Sequence, residues 1–175
     1  MSLAGKRIFI TGGSRGIGLA IALRAAKDGA SIAIAAKTTE PHPKLPGTIF
    51  TAAKEIEAAG GKAVAIQCDI RDENQITSAI EQAVAAFGGI DILINNAGTN
   101  IRNKIDEYTD EQINHIMNTN FMSAFDLSRR CLPLLKGSGK ASVIFNSSVA
   151  GLNHIRTGAV YGVTKAALIQ LTKNL

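Results

Sequence analysis

The amino-acid sequence predicts an α/β protein in which a doubly wound parallel sheet lies between two layers of helices, three layers in all. Short apolar runs alternate along the chain with stretches in which apolar residues recur at helical spacing. The connections between these segments are short, as they are in sheets built from strand–helix–strand units. At 175 residues the chain has the length of one domain, and we expect a single domain over 1–175.

A glycine-rich turn separates the first predicted strand from the first predicted helix. Arg7–Thr11 is a short apolar run, typical of a buried parallel strand, and it enters TGGSRGIG at residues 11–18. Ser31–Ala36 predicts a second strand, which completes one strand–helix–strand unit. The insertion at Thr38–Gly47 holds three of the four prolines and predicts a rigid loop.

The rest of the chain continues the same alternation. Further strands are predicted at 62–68, 91–95 and 142–147, and helices at 52–59, 72–87, 110–132 and around Tyr161 and Lys165. Glycine pairs end the helices at 59 and 87, and Pro133 is expected to end the long one.

Composition excludes several classes of protein. Hydrophobic residues make up 46% of the chain, which indicates a globular protein, and no apolar run approaches the ~18–20 residues of a membrane helix. The N-terminus lacks the apolar segment of a secretory signal, and Cys68 and Cys131 lack the spacing of metal ligands. We therefore expect buried, reduced cysteines and a cytoplasmic location.

The formal net charge of +5 raises the question of nucleic-acid binding. Lys and Arg are scattered, however, and the only adjacent pairs are Lys6-Arg7 and Arg129-Arg130. Nucleic-acid-binding proteins concentrate their basic residues and often place aromatic residues between them, whereas aromatics are only 5% here. The pattern argues against a nucleic-acid partner and favours anionic small molecules.

Gly12, Gly16 and Gly18 give the first turn a GxxxGxG spacing. A glycine-rich turn between a strand and a helix lets backbone N–H groups and the positive end of the helix dipole face a pyrophosphate. The alternative is a tight turn that needs small residues and binds nothing. The strand before the turn and the helix after it favour dinucleotide binding.

The end of the second strand bears on the choice of dinucleotide. NAD-binding sites usually place Asp or Glu there to hold the ribose 2′-hydroxyl, whereas this chain has Ala36 followed by Lys37. Lys37 and Arg15 could neutralise a 2′-phosphate, which predicts NADP(H) over NAD(H). The alternative is that Lys37 is only a solvated charge at a strand end.

Tyr161 and Lys165 lie four residues apart in the last predicted helix, and so on one face of it. An ammonium close to a phenol stabilises the phenolate, which lets the phenol exchange a proton with an alcohol or a carbonyl. Taken alone, the pair is more simply explained as two residues that happen to share a helix. The glycine turn upstream favours the chemical interpretation.

Several motifs, taken in order, resemble those of the short-chain dehydrogenase/reductase family. They are TGGSRGIG, Asp69-Ile70, Asn95-Asn96-Ala97-Gly98, Asn120, Ser147-Ser148-Val149-Ala150-Gly151 and YGVTK. The resemblance covers essentially the whole chain. It implies a Rossmann fold and hydride transfer between a nicotinamide and the carbon of a secondary alcohol or ketone, a small-molecule substrate, with no metal. His42, His115 and His154 stand apart from any second metal ligand, and we interpret them as surface or loop residues.

The resemblance also implies roles for individual residues. Tyr161 matches the acid/base, Lys165 the residue that assists it and holds the nicotinamide ribose, and Ser148 the hydroxyl that polarises the substrate oxygen. Ser147 is a weaker match for that hydroxyl. Asn120 matches the Asn that supports a water-linked proton relay to the Lys.

The turn, the end of the second strand and the resemblance together predict the cofactor-binding residues. They are Thr11, Gly12, Ser14, Arg15, Gly16, Ile17, Gly18, Lys37, Asp69, Ile70, Asn96, Ala97, Gly98, Tyr161 and Lys165.

Two features depart from the family pattern. Members usually continue through two more strands and a lid over the substrate, so we expect a C-terminally truncated member whose sheet is incomplete at its C-terminal edge. The N-terminal part, especially residues 35–61, is similar to the hydroxysteroid-dehydrogenase-like subgroup, and the part from NNAGTN onward is more similar to tropinone-reductase-type carbonyl reductases.

The expected function is that of an NADP(H)-dependent oxidoreductase that interconverts a secondary alcohol and a ketone. The resemblance also implies a homo-oligomer, dimeric or tetrameric, for the full chain. The alternative, which truncation favours, is a non-catalytic dinucleotide-binding or interaction protein.

Overall fold

A computed structural model describes residues 2–43 and 45–175. Within these residues, one sheet of five parallel strands has the order β3-β2-β1-β4-β5. The strands are β1 (Arg7–Thr11), β2 (Ser31–Ala36), β3 (Lys62–Gln67), β4 (Ile92–Asn95) and β5 (Ser142–Phe145). The predicted doubly wound parallel sheet is confirmed, and β1 and β2 have the predicted bounds.

Helices connect the strands and cover both faces of the sheet. They are α1 (Gly16–Lys27), α2 (Ile49–Ala58), α3 (Glu73–Phe87), α4 (Asp110–Met117), α5 (Ser123–Ser138) and α6 (Ala159–Asn174). Short 3₁₀ turns occupy Ile105–Glu107 and Val149–Gly151, and a π-helical turn at Asn118–Met122 joins α4 to α5. The part of the loop Thr38–Gly47 that is described contains no helix, as predicted, and Lys44 lies outside the described residues.

The core consists of two apolar layers, one on each face of the sheet. Alternate residues of β1 point to opposite faces, so that Phe9 packs with α3 and α5 while Ile10 packs with α1 and α2. Both side chains are fully buried. Cys68 and Cys131 are buried free thiols in the first of these layers, and burial raises their pKa to about 11 and about 12, respectively.

Helix boundaries differ from the predicted ones where a side chain caps the backbone. The α2 helix begins at Ile49 rather than residue 52, because the side chains of Thr48 and Thr51 form a reciprocal capping box. Asp72 caps α3 by accepting from two backbone N–H groups, and Gly88 ends it in the left-handed conformation at φ +80°.

The predicted single helix over 110–132 is wrong in two ways. The π-helical turn at Asn118–Met122 divides it, and Pro133 does not end it, since α5 continues to Ser138. Pro133 is exposed, so water can satisfy the carbonyl that the missing N–H leaves free. Leu135 is 3% exposed, and its packing against the sheet favours the additional turn.

No helix among the described residues is both long and apolar enough to span a bilayer.

Candidate active site

The carboxyl ends of β1 and β4 form the centre of the site, because the sheet order changes direction between these strands. β1 runs into the glycine turn, where Gly12 and Gly16 adopt left-handed φ angles of +65° and +56°, a conformation that other residues rarely take. α1 begins at Gly16, and the side chain of Arg15 does not cap it. The N–H groups of its first turn are therefore available to an anion.

A first cavity, of about 380 Å³, lies at the carboxyl ends of β1, β2 and β3. Nine predicted cofactor residues line it: Gly12, Ser14, Arg15, Lys37, Asp69, Ile70, Asn96, Ala97 and Gly98. Ala36, at the end of β2, also lines it, so the strand end presents a methyl group where a carboxylate would repel a 2′-phosphate.

Asp69 fixes two basic side chains in the wall of the first cavity. Arg71 donates to its carboxylate from Nη2 at 2.6 Å and from Nε at 3.0 Å, and Lys37 Nζ lies 3.4 Å away. The Arg71 hydrogen bonds hold the pKa of Asp69 well below its usual range, despite partial burial. Asp69 therefore remains an anion that orients Lys37 and Arg71.

Arg71 and His115 are site residues that sequence reasoning missed. Both line the first cavity, and Arg71 Nη1 lies 3.0 Å from His115 Nδ1. Because a guanidinium only donates, we assign Nδ1 as the acceptor and the ring proton to Nε2. His115, which we interpreted as a surface or loop residue, is half-buried in α4. The position of Arg71, two residues after Asp69 at a strand end, was the available signal.

A second cavity, of about 560 Å³, holds the residues expected to carry chemistry. Ser147, Ser148, Tyr161 and Lys165 line it together with Ile17 and Gly18 of α1. The two cavities share Arg15, Asn96, Gly98 and Thr99. They therefore form one continuous depression across the sheet edge, called the groove below.

Lys165 is a buried cation beside a phenol. It is 5% exposed, its Nζ donates to the carbonyl of Asn146 at 2.7 Å, and the same atom lies 5.6 Å from the centre of the Tyr161 ring. Burial lowers the pKa of Lys165. An ammonium has three donors, so two remain for a ligand in the groove.

The two neighbouring serines differ in what their hydroxyl groups do. Ser147 Oγ donates to the carbonyl of Lys165 at 2.8 Å, which uses its hydrogen. Ser148 Oγ instead accepts from the backbone N–H of Ala150 at 3.2 Å. Within the described part of the chain the Ser148 hydroxyl has no acceptor, so its hydrogen can point into the groove.

Asn120 lies behind the wall of the groove. Asn120 is 1% exposed within the π-helical turn. Its side chain binds both main-chain polar groups of Thr99: it accepts from the N–H at 2.8 Å and donates to the carbonyl at 2.9 Å. It also donates to Thr164 Oγ1 at 3.2 Å. Asn120 thus fixes Thr99, which lines both cavities, but does not itself line them.

Thr11 and Gly16 also lie outside the lining of the groove. Thr11 is 2% exposed, and its hydroxyl accepts from the N–H groups of Asn96 and Ala97, both at 3.0 Å. It therefore holds the segment after β4 in place from behind, while Gly16 supplies the start of α1.

A chain of amide side chains links the glycine turn to Lys165. Asn96 Nδ2 donates to the carbonyls of Thr11 at 2.9 Å and Gly12 at 3.2 Å. Asn146 Nδ2 donates to Asn96 Oδ1 at 2.9 Å, and the main-chain carbonyl of Asn146 accepts from Lys165 Nζ. The ends of β1, β4 and β5 are thus held in one hydrogen-bonded network.

The residues of the groove fit a dinucleotide. At Gly98 an added Cβ would lie 3.4 Å from Asn120 Oδ1 and 3.7 Å from Lys165 Nζ, so glycine keeps this part of the groove open. Thr119 Oγ1, at the first cavity, is buried and has no hydrogen-bond partner among the described residues. Those residues also contain no group of metal-ligating side chains that could hold an ion.

The chain is similar to dehydrogenases over nearly its whole length. It is 51% identical to hydroxysteroid dehydrogenase-like protein 2 of Xenopus laevis over 173 residues, which is 95% of this chain and 42% of that protein. The stretch that matches this relative includes both the N-terminal part of the chain and the part from NNAGTN onward. The chain spans about two fifths of the length of that relative.

Solved structures of dehydrogenases have the same fold. A short chain dehydrogenase from Mycobacterium thermoresistibile superposes with a TM-score of 0.88 at 42% identity, covering 97% of this chain and 61% of its own. An NADH-dependent reductase, A1-R′, solved with NAD, gives a TM-score of 0.86 at 31% identity, covering 98% of this chain and 72% of its own.

The family model for short chain dehydrogenases matches residues 6–175, from the start of β1 to the end of α6. With the parallel sheet, the glycine turn and the groove, this match shows that the chain belongs to the short-chain dehydrogenase/reductase family of oxidoreductases.

Proposed function

We propose that this protein is an NADP(H)-dependent oxidoreductase that interconverts a secondary alcohol and a ketone, with Tyr161 as its acid/base. One observation carries the proposal. The groove that begins at the glycine turn continues without a break to Ser148, Tyr161 and Lys165. A dinucleotide that binds at the turn can therefore extend to the residues that move a proton.

Tyr161 donates a proton to the ketone oxygen in the reducing direction and takes it back in the oxidising one. The buried Lys165 ammonium, whose Nζ lies 5.6 Å from the ring centre, stabilises the phenolate that remains. Its bond to the carbonyl of Asn146 fixes its position. The bound nicotinamide supplies or accepts the hydride.

Ser148 holds the substrate oxygen. Its Oγ already accepts from Ala150 N–H, so the hydroxyl hydrogen is directed to an acceptor in the groove, where it stabilises charge that develops on the oxygen. Ser147 cannot take this role without losing its bond to the carbonyl of Lys165. Asn120 acts as a positioning residue through Thr99.

The choice of NADP(H) rests on the charges around the end of β2. Lys37 is 60% exposed beside Ala36, and Arg15 lines the same cavity. Two cations near a strand end without a carboxylate complement a 2′-phosphate. Asp69 offsets part of this charge, because it lies 3.4 Å from Lys37 Nζ, but Arg71 already binds the same carboxylate twice.

Turnover is tested by following NADPH oxidation by the full-length protein with a panel of ketones. Tyr161→Phe removes only the phenolic hydroxyl, and we expect it to reduce kcat by about 10²–10⁴-fold. Calorimetric titration with NADP⁺ provides the control, since Tyr161→Phe should bind the nucleotide like the wild type. Nucleotide binding without turnover by the wild type would instead support a non-catalytic dinucleotide-binding protein.

Cofactor choice is tested by comparing the KM values for NADPH and NADH. We expect a lower KM for NADPH, and Lys37→Ala should raise that KM by about tenfold while it leaves the KM for NADH nearly unchanged. Lys54→Ala removes another exposed lysine, from α2 and away from the groove, and is the matched control. A wild type that prefers NADH would contradict the proposed cofactor.

A further inference from the structure

A third cavity, of about 750 Å³, adjoins the groove and is called the side cavity below. Its walls are the loop at 102–107, the segment at 150–159 and one face of α6. Thr157 lines both the side cavity and the groove. The side cavity is therefore placed to hold the part of a substrate that extends away from the reacting carbon.

Hydrogen bonds and close packing hold the two loops of the side cavity together. Asn100 Nδ2 donates to the carbonyl of Thr157 at 2.9 Å, and Asn100 itself lines the groove. Tyr108 donates to the carbonyl of Ile101 at 2.8 Å and packs against Gly158, where an added Cβ would overlap its hydroxyl. The walls of the side cavity are thus fixed relative to the groove.

The side cavity combines apolar walls with unpaired positive charge. Leu152, Ile155 and Val163 line it and leave 71%, 36% and 59% of their surface exposed. Three permanent cations line it against one carboxylate: Arg102, Lys104 and Arg156 against Glu107. Glu107 pairs with Lys104 at 3.1 Å. Within the described residues, Arg102 and Arg156 have no hydrogen bond or ion pair.

We infer that the substrate of this site is an oxo or hydroxy compound with an apolar body and a terminal anionic group, a carboxylate or a phosphate. Arg102 and Arg156 bind the anion from facing loops, because guanidinium groups match the geometry of these oxyanions. Leu152, Ile155 and Val163 cover the apolar body. This assignment rests on the proposed oxidoreductase function, since it takes the side cavity to bind one part of the substrate whose reacting carbon lies in the groove.

Matched substrates test the charge. The full-length protein is assayed with NADPH and a homologous series of (ω−1)-oxocarboxylic acids and their methyl esters, which differ only in the charge at the far end. We expect a KM about tenfold lower for the acid than for its ester. An oxoalkyl phosphate of matching length, compared with the acid, distinguishes the two anions.

Two variants test the arginines. Arg102→Gln with Arg156→Gln should raise the KM for the acid by about tenfold and leave the KM for the ester unchanged. Lys54→Gln removes one charge from α2 and should change neither value. Equal KM values for acid and ester, or a double variant that leaves the acid unaffected, would overturn the inference while the turnover of esters upheld the proposed function.

A binding measurement separates the two proposals if no ketone is turned over. An unreactive alkanoate of the same length is titrated calorimetrically into the protein saturated with NADP⁺. Saturable binding that Arg102→Gln with Arg156→Gln abolishes supports the anion site even without turnover. An alkanoate that does not bind, or that binds the double variant equally well, overturns it.

Discussion

Replacing Gly18 by alanine tests whether the glycine turn needs glycine for close packing. Gly18 is buried in the first turn of α1, and an added Cβ would lie 2.6 Å from Asn96 Nδ2 and still closer to the carbonyl of Gly12. Atoms in favourable contact are about 3.5–4.0 Å apart. The methyl group therefore cannot fit unless Asn96 or the turn moves.

The cost follows from what Asn96 holds. Its Nδ2 donates to the carbonyls of Thr11 and Gly12, and each bond contributes about 0.5–1.5 kcal/mol. Overpacking of a buried site adds about 1–3 kcal/mol. We expect Gly18→Ala to lower the free energy of unfolding by about 2–6 kcal/mol, and to weaken NADP⁺ binding because the turn moves.

Urea denaturation and calorimetric titration with NADP⁺ measure the two effects. Gly137→Ala is the matched control, since an added Cβ there meets no atom within 4 Å and the residue lies in α5, far along the chain from the turn. It should be neutral or stabilise the protein by up to about 1 kcal/mol. A Gly18→Ala protein with wild-type stability and nucleotide affinity would refute the reasoning.

Three further changes have expected outcomes. Asp91→Asn weakens the ion pair between Arg7 and Asp91, whose closest atoms are 2.6 Å apart, and should lower the free energy of unfolding, measured in urea, by about 2–4 kcal/mol. Because the Arg7 hydrogen bonds lower the pKa of Asp91, the ion pair contributes fully to stability above about pH 4. The stability difference between variant and wild type should vanish in strong acid, as the pH falls through the folded-state pKa of Asp91. Asn120→Ala removes the hydrogen bonds that hold Thr99 and should lower kcat more than it lowers nucleotide affinity. Asn120→Asp keeps the acceptor for the Thr99 N–H and should restore part of the lost kcat. Lys165→Met should lower kcat at least about 10²-fold. Because burial lowers the pKa of Lys165 in the folded protein, the stability of the wild type relative to this variant should rise with pH between the folded-state pKa and the unfolded-state pKa of about 10.4. Thermal unfolding at a series of pH values measures this difference.

The sheet and the main components of the groove could be predicted because they depend on local patterns. The apolar runs of β1 and β2 form strands that are buried beyond their first residue and that end where the apolar pattern ends. In a parallel sheet the carboxyl ends of the strands share one edge, so motifs placed directly after strands, such as TGGSRGIG and Asn95-Asn96-Ala97-Gly98, had to meet there.

Features that depend on contacts between distant segments could not be read from the sequence. The local sequence does not predict the π-helical turn at Asn118–Met122. The turn places Asn120 so that its side chain bonds to Thr99, which is 21 residues away in the sequence. The same holds for His115, which joins the site only because α4 brings it to Arg71, 44 residues away. Pro133 was wrongly predicted to end the helix because its exposure to solvent, which allows a proline there, depends on the tertiary structure.

The amide network gives a physical reason for the glycine turn and the proposed acid/base pair, Tyr161 and Lys165, to behave as one unit. Asn96 bonds the carbonyl of Gly12 on one side and accepts from Asn146 on the other, and the carbonyl of Asn146 holds Lys165. Asn96 uses both its donor and its acceptor, and Asn146 joins it to Lys165 through a side-chain donor and a main-chain carbonyl, so a shift at the turn leaves a polar group unpaired unless Asn146, and with it Lys165, also moves. Asn96 and Asn146 are half-buried, and a hydrogen-bonded network of this kind is rigid when every partner is present. A displacement at the glycine turn should therefore affect the proposed proton-transfer residues as well as nucleotide affinity.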